Sequence, residues 1–336
     1  MTVTSWQRAS VLAGCAPRSA ASHAGLADAV CSLAAIVALL MAFAQVWVLP
    51  AVQPTDEPRE SAPVLQDGSD RPARSANETL IAGYIGAPFY YRSDVHLVRP
   101  DDTDVTLRRL GWDGDALHFP IDGGVRALRW GSTFGFMVDF LHNKAVSRLG
   151  KGAHGRKLAN PVIEDVAADG IIKGQPAPAQ VKLTDVFERL EFTHGHNMLF
   201  ATAMMRTAAP YPGVRPYFGL GGGVALPHVE VWFPGQPRDK RTNEYQYAGP
   251  AWQFVAGLEF RSGKFSYFLE YKFSYAWIAG ALTGDESWKN FNMPGDLLRQ
   301  ILRWWSGDPP SEGRISTTLA AHQVLVGGGY WWQGSP

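Results

Sequence analysis

The sequence predicts an all-β protein, an antiparallel barrel of about eight strands that crosses a membrane. Three observations predict it. Several segments alternate apolar and polar residues with a period of two, which marks strands with one apolar and one polar face. Long and short connectors alternate strictly along the chain, which places all long loops at one end and all tight turns at the other. The chain also opens on an export-type segment and carries 12 Trp and 11 Tyr, enough for aromatic girdles at two membrane interfaces.

Composition narrows the class further. The 336 residues hold 31 basic and 31 acidic side chains, a balance that argues against a nucleic-acid binder. Cys15 and Cys31 are the only cysteines and both lie in the N-terminal segment, so the rest of the chain has neither a disulfide framework nor a thiolate metal site. No G-x-S-x-G, Walker or H-E-x-x-H pattern is present.

In chain order, Leu33 to Ala44 is an apolar block after Arg8 and Arg18, and it ends Ala42-Phe43-Ala44. This reads as a signal peptide over 1–44, cleaved after Ala44. An uncleaved anchor reaching Leu49 is the other reading, because the apolar stretch extends to about 20 residues. Residues 45–76 are rich in Pro, Ser, Asp and Arg without an apolar period, and read as a disordered linker. The barrel is expected over 77–336, as a monomer.

Its strands are legible by their faces. In Phe265 to Tyr275, Phe265, Tyr267, Leu269, Tyr271, Phe273 and Tyr275 share one face, with Glu270 and Lys272 on the other. Trp252 to Phe260 and Phe134 to Phe140 alternate likewise, and Asp139 lies opposite the apolar face of the latter. A soluble barrel would turn the aromatic face inward, whereas a membrane barrel turns it to lipid. The export segment, the segregated loops and the terminal Tyr330-Trp331-Trp332 favour the membrane. Long connectors are expected near 92–120, 147–186, 231–247 and 281–313, outside the cell.

Candidate chemistry gathers at the long-loop end. Phe192-Thr193-His194-Gly195-His196-Asn197-Met198 puts His194 and His196 on one strand face, roughly 7 Å apart, a spacing suited to two ligands of one metal. The same pair could serve as an acid/base couple or simply hydrate the barrel mouth. Asp139 or His142 would add a third ligand or a base. Asp94, His228, Glu230, Glu270 and Lys272 complete the titratable set, and inward placement of His142 would require a bulge. Imidazole ligands suit copper or iron, either able to activate oxygen. In the last long connector, Leu297, Leu298, Ile301, Leu302 and Trp305 fall on one helical face, with Asp296 as an N-cap. Arg299 and Arg303 on this helix could meet lipid phosphates, or the helix could pack on other loops.

Seven segments together resemble the lipid A oxidase family of outer-membrane barrels: Gly86 to Val95, Asp139 to Lys144, Phe192 to Met198, Pro227 to Val231, Glu244 to Gln246, Glu270 to Lys272 and Thr318 to Val324. They span nearly all of residues 80 to 332. The resemblance implies an oxygen-dependent oxidation of the proximal glucosamine of lipid A to an aminogluconate unit, at the outer leaflet where lipopolysaccharide resides. The other reading is a non-catalytic small outer-membrane barrel whose loops bind partners in adhesion.

Overall fold

The computed structural model describes residues 77–209, 211, 213–286 and 292–333. The expected signal peptide and linker lie outside the described residues. In chain order the strands are β1 (Glu78–Tyr90), β2 (Ser93–Arg99), β3 (Thr103–Leu110), β4 (Trp112–Asp113), β5 (Gly123–Trp130) and β6 (Phe134–Ser147). Then come β7 (Asp165–Ile172), β8 (Gln175–Pro176), β9 (Gln180–Lys182), β10 (Arg189–Arg206) and β11 (Val214–Ala225). The last are β12 (His228–Trp232), β13 (Thr242–Tyr245), β14 (Gly249–Ser262), β15 (Phe265–Leu282) and β16 (Gly313–Gln333).

Eight of these close a barrel in the order β1-β5-β6-β10-β11-β14-β15-β16, and β16 pairs back onto β1 from Glu78↔Gln333 to Tyr90↔Ala321. Every pairing around the ring is antiparallel. Closure leaves no exposed strand edge, the condition for a β structure to sit in lipid. Hairpins after β5, β10 and β14 are short, and the four opposite connections are long, as expected.

Those long connections are folded rather than loose. β2 extends the sheet from β16, and β3 and β7 follow it. β12 takes over from β11 as the partner of β10 at Arg189–Glu191, so the wall continues upward beyond the membrane. The last connection holds the helix Met293–Ser306, which ends at Gly307 in the left-handed region. This helix begins earlier than the sequence implies. Asp296 is therefore not its N-cap but sits in its first turn, where its carboxylate accepts from the Tyr245 backbone N–H at 2.9 Å.

The two faces of the wall have opposite chemistry. Outward residues include Ile81, Ile85, Phe136, Leu199, Leu220, Tyr267, Leu269, Val324 and Val326, all exposed, with Phe136 at 53%. A continuous apolar band of this size is lipid-facing surface, because soluble monomers do not carry one. Phe265, Tyr330 and Trp332 make an aromatic cluster at the tight-turn end. Among the described residues no helix is long and apolar enough to cross a membrane, and the strands do the crossing.

The interior is filled by ion pairs. Arg126 grips Glu270 with two parallel bonds of 2.7 and 2.9 Å, Lys272 pairs with Asp139, and Tyr84 and Tyr217 donate to Asp139 and Glu270 at 2.8 Å each. Near the tight turns, Arg206 and Arg261 close on Glu78. Two cations and two anions in the upper network leave it neutral, which is how a small barrel can bury charge across a bilayer.

Candidate functional site

The site is built where β10 leaves the membrane. Below, Met198–Arg206 pairs with β11 and crosses the bilayer. Above, the β6 register jumps: Phe192 faces Ala145, yet His196 faces Asn143. Three residues, Thr193 to Gly195, thus oppose one, and Gly195 takes a φ of 131° that side chains rarely adopt. The bulge corrects the expectation that His194 and His196 share one face by strict alternation. His196 stays in the core beside Tyr90, whose Oη lies 3.1 Å from its Nδ1, and burial lowers its pKa to about 3. His194 turns to the opposite side.

On that opposite, outer side it meets other titratable groups. Glu191 and Glu230 face each other across β10 and β12, while Leu190, Phe192, Val229 and Val231 between them point into the core. His194 Nδ1 donates to Glu230 Oε1 at 2.5 Å, and His228 Nδ1 and Thr193 Oγ1 reach the same oxygen at 3.2 and 3.0 Å. Arg189 lies 3.3 Å from the other oxygen of Glu230 and 3.2 Å from Glu191. Burial alone would raise the Glu230 pKa, but the hydrogen bonds from His194 and His228 hold its carboxyl well below the usual range. Burial and then the neighbouring Glu230 charge push Glu191 well above it. The two neighbouring carboxyl groups are thus pushed in opposite directions, Glu230 down and Glu191 up.

His154 completes the cluster from the connector between β6 and β7. Its ring centroid is 4.3 Å from that of His194, and its Nδ1 lies 3.3 Å from Thr193 Oγ1. Burial, then repulsion from His194, lowers its pKa to about 4, so it is neutral at ordinary pH. Its backbone sits in the left-handed region (φ 57°, ψ 25°). One ligand atom each from His154, His194 and Glu230 lie within 4.8 Å of one another, a set able to hold a metal.

Beside this cluster a cleft of about 540 Å³ lies on the outer wall. His142, His194 and Tyr245 line its upper part, Val125 and Phe140 its lower part, and Met293 of the helix its side. Phe140 shares the face of Phe136 and Val138, and Val125 is 61% exposed, so the cleft opens onto the lipid-facing wall just below the polar cluster. His142 keeps the outward parity its position implies and donates from Nδ1 to Asn197 Oδ1 at 2.8 Å.

The remaining sequence candidates are elsewhere. Asp139, Glu270 and Lys272 belong to the barrel-filling ion network, so Asp139 is not a ligand beside His194, and the lumen is occupied by structural charge. Asp94 pairs with Arg108 at 2.8 Å on the β2–β3 sheet at the long-loop end. Arg303 and Arg299 are turned onto protein carboxylates, Arg303 to Glu244 at 2.8 Å and Arg299 to Asp296 at 2.7 Å. His228 and Glu230 do join His194. His154 was missed, since a histidine between glycines in a long connector carries no periodic signal.

No protein-family model matches the sequence, and no curated protein matches it. In fold the chain is similar to the crystal structure of Neisserial surface protein A, with a TM-score of 0.28 and 8% identity over 74% of this chain and 96% of that one. It is also similar to Ail, the attachment invasion locus protein of Yersinia pestis, solved with the heparin analogue sucrose octasulfate. There the TM-score is 0.29 and the identity 10%, over 76% of this chain and 99% of that one. Overlap this loose carries no functional argument. By its own closure, eight-strand ring and outward apolar band, the chain is an outer-membrane β-barrel.

Proposed function

We propose that the protein is an outer-membrane enzyme acting on the headgroup of lipid A, oxidising its proximal glucosamine to an aminogluconate unit with molecular oxygen. One observation carries this reading: the His/Glu cluster borders a cleft that opens sideways onto lipid-facing Val125 and Phe140. A substrate whose acyl chains stay in the leaflet would present its sugar at the level of His142, His194 and Tyr245. An enzyme for a soluble substrate has no use for an opening onto the lipid-facing wall.

The reaction needs a free anomeric hydroxyl. Two electrons and two protons leave the anomeric carbon and its hydroxyl, one O₂ takes them up as hydrogen peroxide, and water opens the resulting lactone to the acid. Ionised Glu230 or a neutral imidazole of the cluster would accept the hydroxyl proton. A redox-active copper or iron ion is the cofactor that would activate oxygen there. The test is mass spectrometry of lipid A from a strain lacking the gene, complemented with wild type or His194→Ala. The oxidised species should return only with wild type, and its return with His194→Ala would refute the assignment.

A second reading, a non-catalytic barrel whose loops bind a partner, draws support from the ordered sheet β2-β3-β7 standing beyond the membrane. Unchanged lipid A in the deletion strain would favour it.

A further inference from the structure

We infer that His154, His194 and Glu230 together bind one divalent first-row transition-metal ion. Two imidazoles and one carboxylate are a donor set that suits iron(II) or zinc and leaves coordination positions open for water, oxygen or substrate. Their ligand atoms lie within 4.8 Å of one another, so bonds of about 2.1 Å require only a small closing of side chains.

Three further features fit a metal better than a purely structural cluster. The carboxylate of Glu230 is oriented by Thr193 and His228 and flanked by Arg189, the kind of outer support that ligating carboxylates have. Nε2 of His228, fully buried 4.7 Å ring to ring from His194, has no hydrogen-bond partner. A buried ring nitrogen left so in a cluster of ligand-type side chains calls for a polar partner such as an ion or a water. Finally, His154 is held in the left-handed region, on a turn closed by the Gly152 N–H to the Arg156 carbonyl at 2.8 Å. A non-glycine residue there costs on the order of 1 kcal/mol. A hub centred on Glu230 accounts for His194 and His228. It does not account for spending strain to add a third imidazole whose ring sits against His194.

The ion would occupy the site of the lipid-oxidising reading, but it is measured without lipid, so failure of the one is separable from failure of the other. The full-length barrel, refolded in detergent and stripped with a chelator, is titrated with Co²⁺ as an optical probe and then competed with Zn²⁺. One equivalent should bind with visible ligand-field bands. His154→Ala, a change in a connector that leaves the barrel wall untouched, should weaken binding at least about 100-fold, as should His194→Ala. His96→Ala, on the β2–β3 sheet, should bind as wild type. Heat-modifiable gel migration reports folding in each variant. Absence of stoichiometric binding by wild type, or wild-type affinity in folded His154→Ala, overturns the inference.

Discussion

Replacing Asp139 by asparagine removes one of the two anions in the barrel's ion network and leaves one uncompensated cation in its interior. Lys272 then keeps only neutral close partners, the Tyr84 hydroxyl at 3.1 Å and the amide oxygen of the new side chain, while Arg126 remains committed to Glu270. Breaking a buried pair from one side costs about 3–5 kcal/mol, because the remaining charge stays desolvated. The surviving Tyr84 contact and the nearby Glu270 place Asp139→Asn at the lower end, about 3 kcal/mol. Lys272→Met should be similar or milder, since Asp139 retains Tyr84 at 2.8 Å and the Arg126 Nε at 3.7 Å. The double variant restores neutrality around the bidentate Arg126–Glu270 pair, so it should recover most of the loss, with a coupling of about 2 kcal/mol. Urea unfolding in phospholipid vesicles, followed by tryptophan fluorescence, measures all four proteins. Lipid A conversion per folded molecule should stay at the wild-type level throughout. Single variants as stable as wild type, or folded variants without activity, would refute a structural role for Asp139 and Lys272.

Two other expectations concern the long-loop end. Leu298, Ile301, Leu302, Trp304 and Trp305 of the Met293–Ser306 helix are exposed, while buried Asp296 and Gln300 pin its other face to Tyr245 and Tyr247. Bromine placed high on the acyl chains should therefore quench fluorescence in wild type more than in Trp304→Phe/Trp305→Phe; equal quenching would detach the helix from the leaflet. A cysteine at exposed Gln175 should react with an impermeant maleimide on whole cells, and one at Ser262 in the tight turn should not. The reverse pattern would invert the barrel.

Much of the fold was legible because lipid and lumen impose a strict period of two. Phe265 to Tyr275 alternates with only Phe268 out of pattern, and the chain places Glu270 and Lys272 inside as that alternation requires. The site was less legible for the same reason. Periodicity reads a wall, and chemistry here sits where the wall is interrupted. Strict alternation puts His194 and His196 on one face, but the bulge breaks that period, and the lumen is taken by Arg126, Asp139, Glu270 and Lys272. His228 and Glu230 could be named because they stand on a strand. His154 stands on a left-handed turn, and its approach to His194 is a tertiary fact with no local pattern. Sequence leaves Arg299 and Arg303 open between lipid phosphates and packing on other loops, because Glu244, their partner in another connector, is more than fifty positions away.

Gly195 is the residue on which the division between core and cleft depends. With φ at 131° it lets three residues of β10 bulge against one of β6, so His196 returns to the core while His194 swings out to Glu230. A β-carbon at this position would lie 2.3 Å from the Asn197 side-chain amide, and the backbone conformation itself disfavours any L side chain. Gly195→Ala should thus cost about 1–3 kcal/mol of local strain. The chain can relieve that strain by collapsing the bulge, which would draw His194 away from Glu230 and disturb the Asn197 bond to His142. The barrel below, from Met198 to Arg206, keeps its full ladder with β6 and β11 and should still migrate as folded. Cobalt affinity and lipid A oxidation should then fall together while heat-modifiable migration is unchanged. A folded Gly195→Ala variant with both properties intact would show that His194 reaches Glu230 without the bulge, and that the outer-wall site does not depend on it.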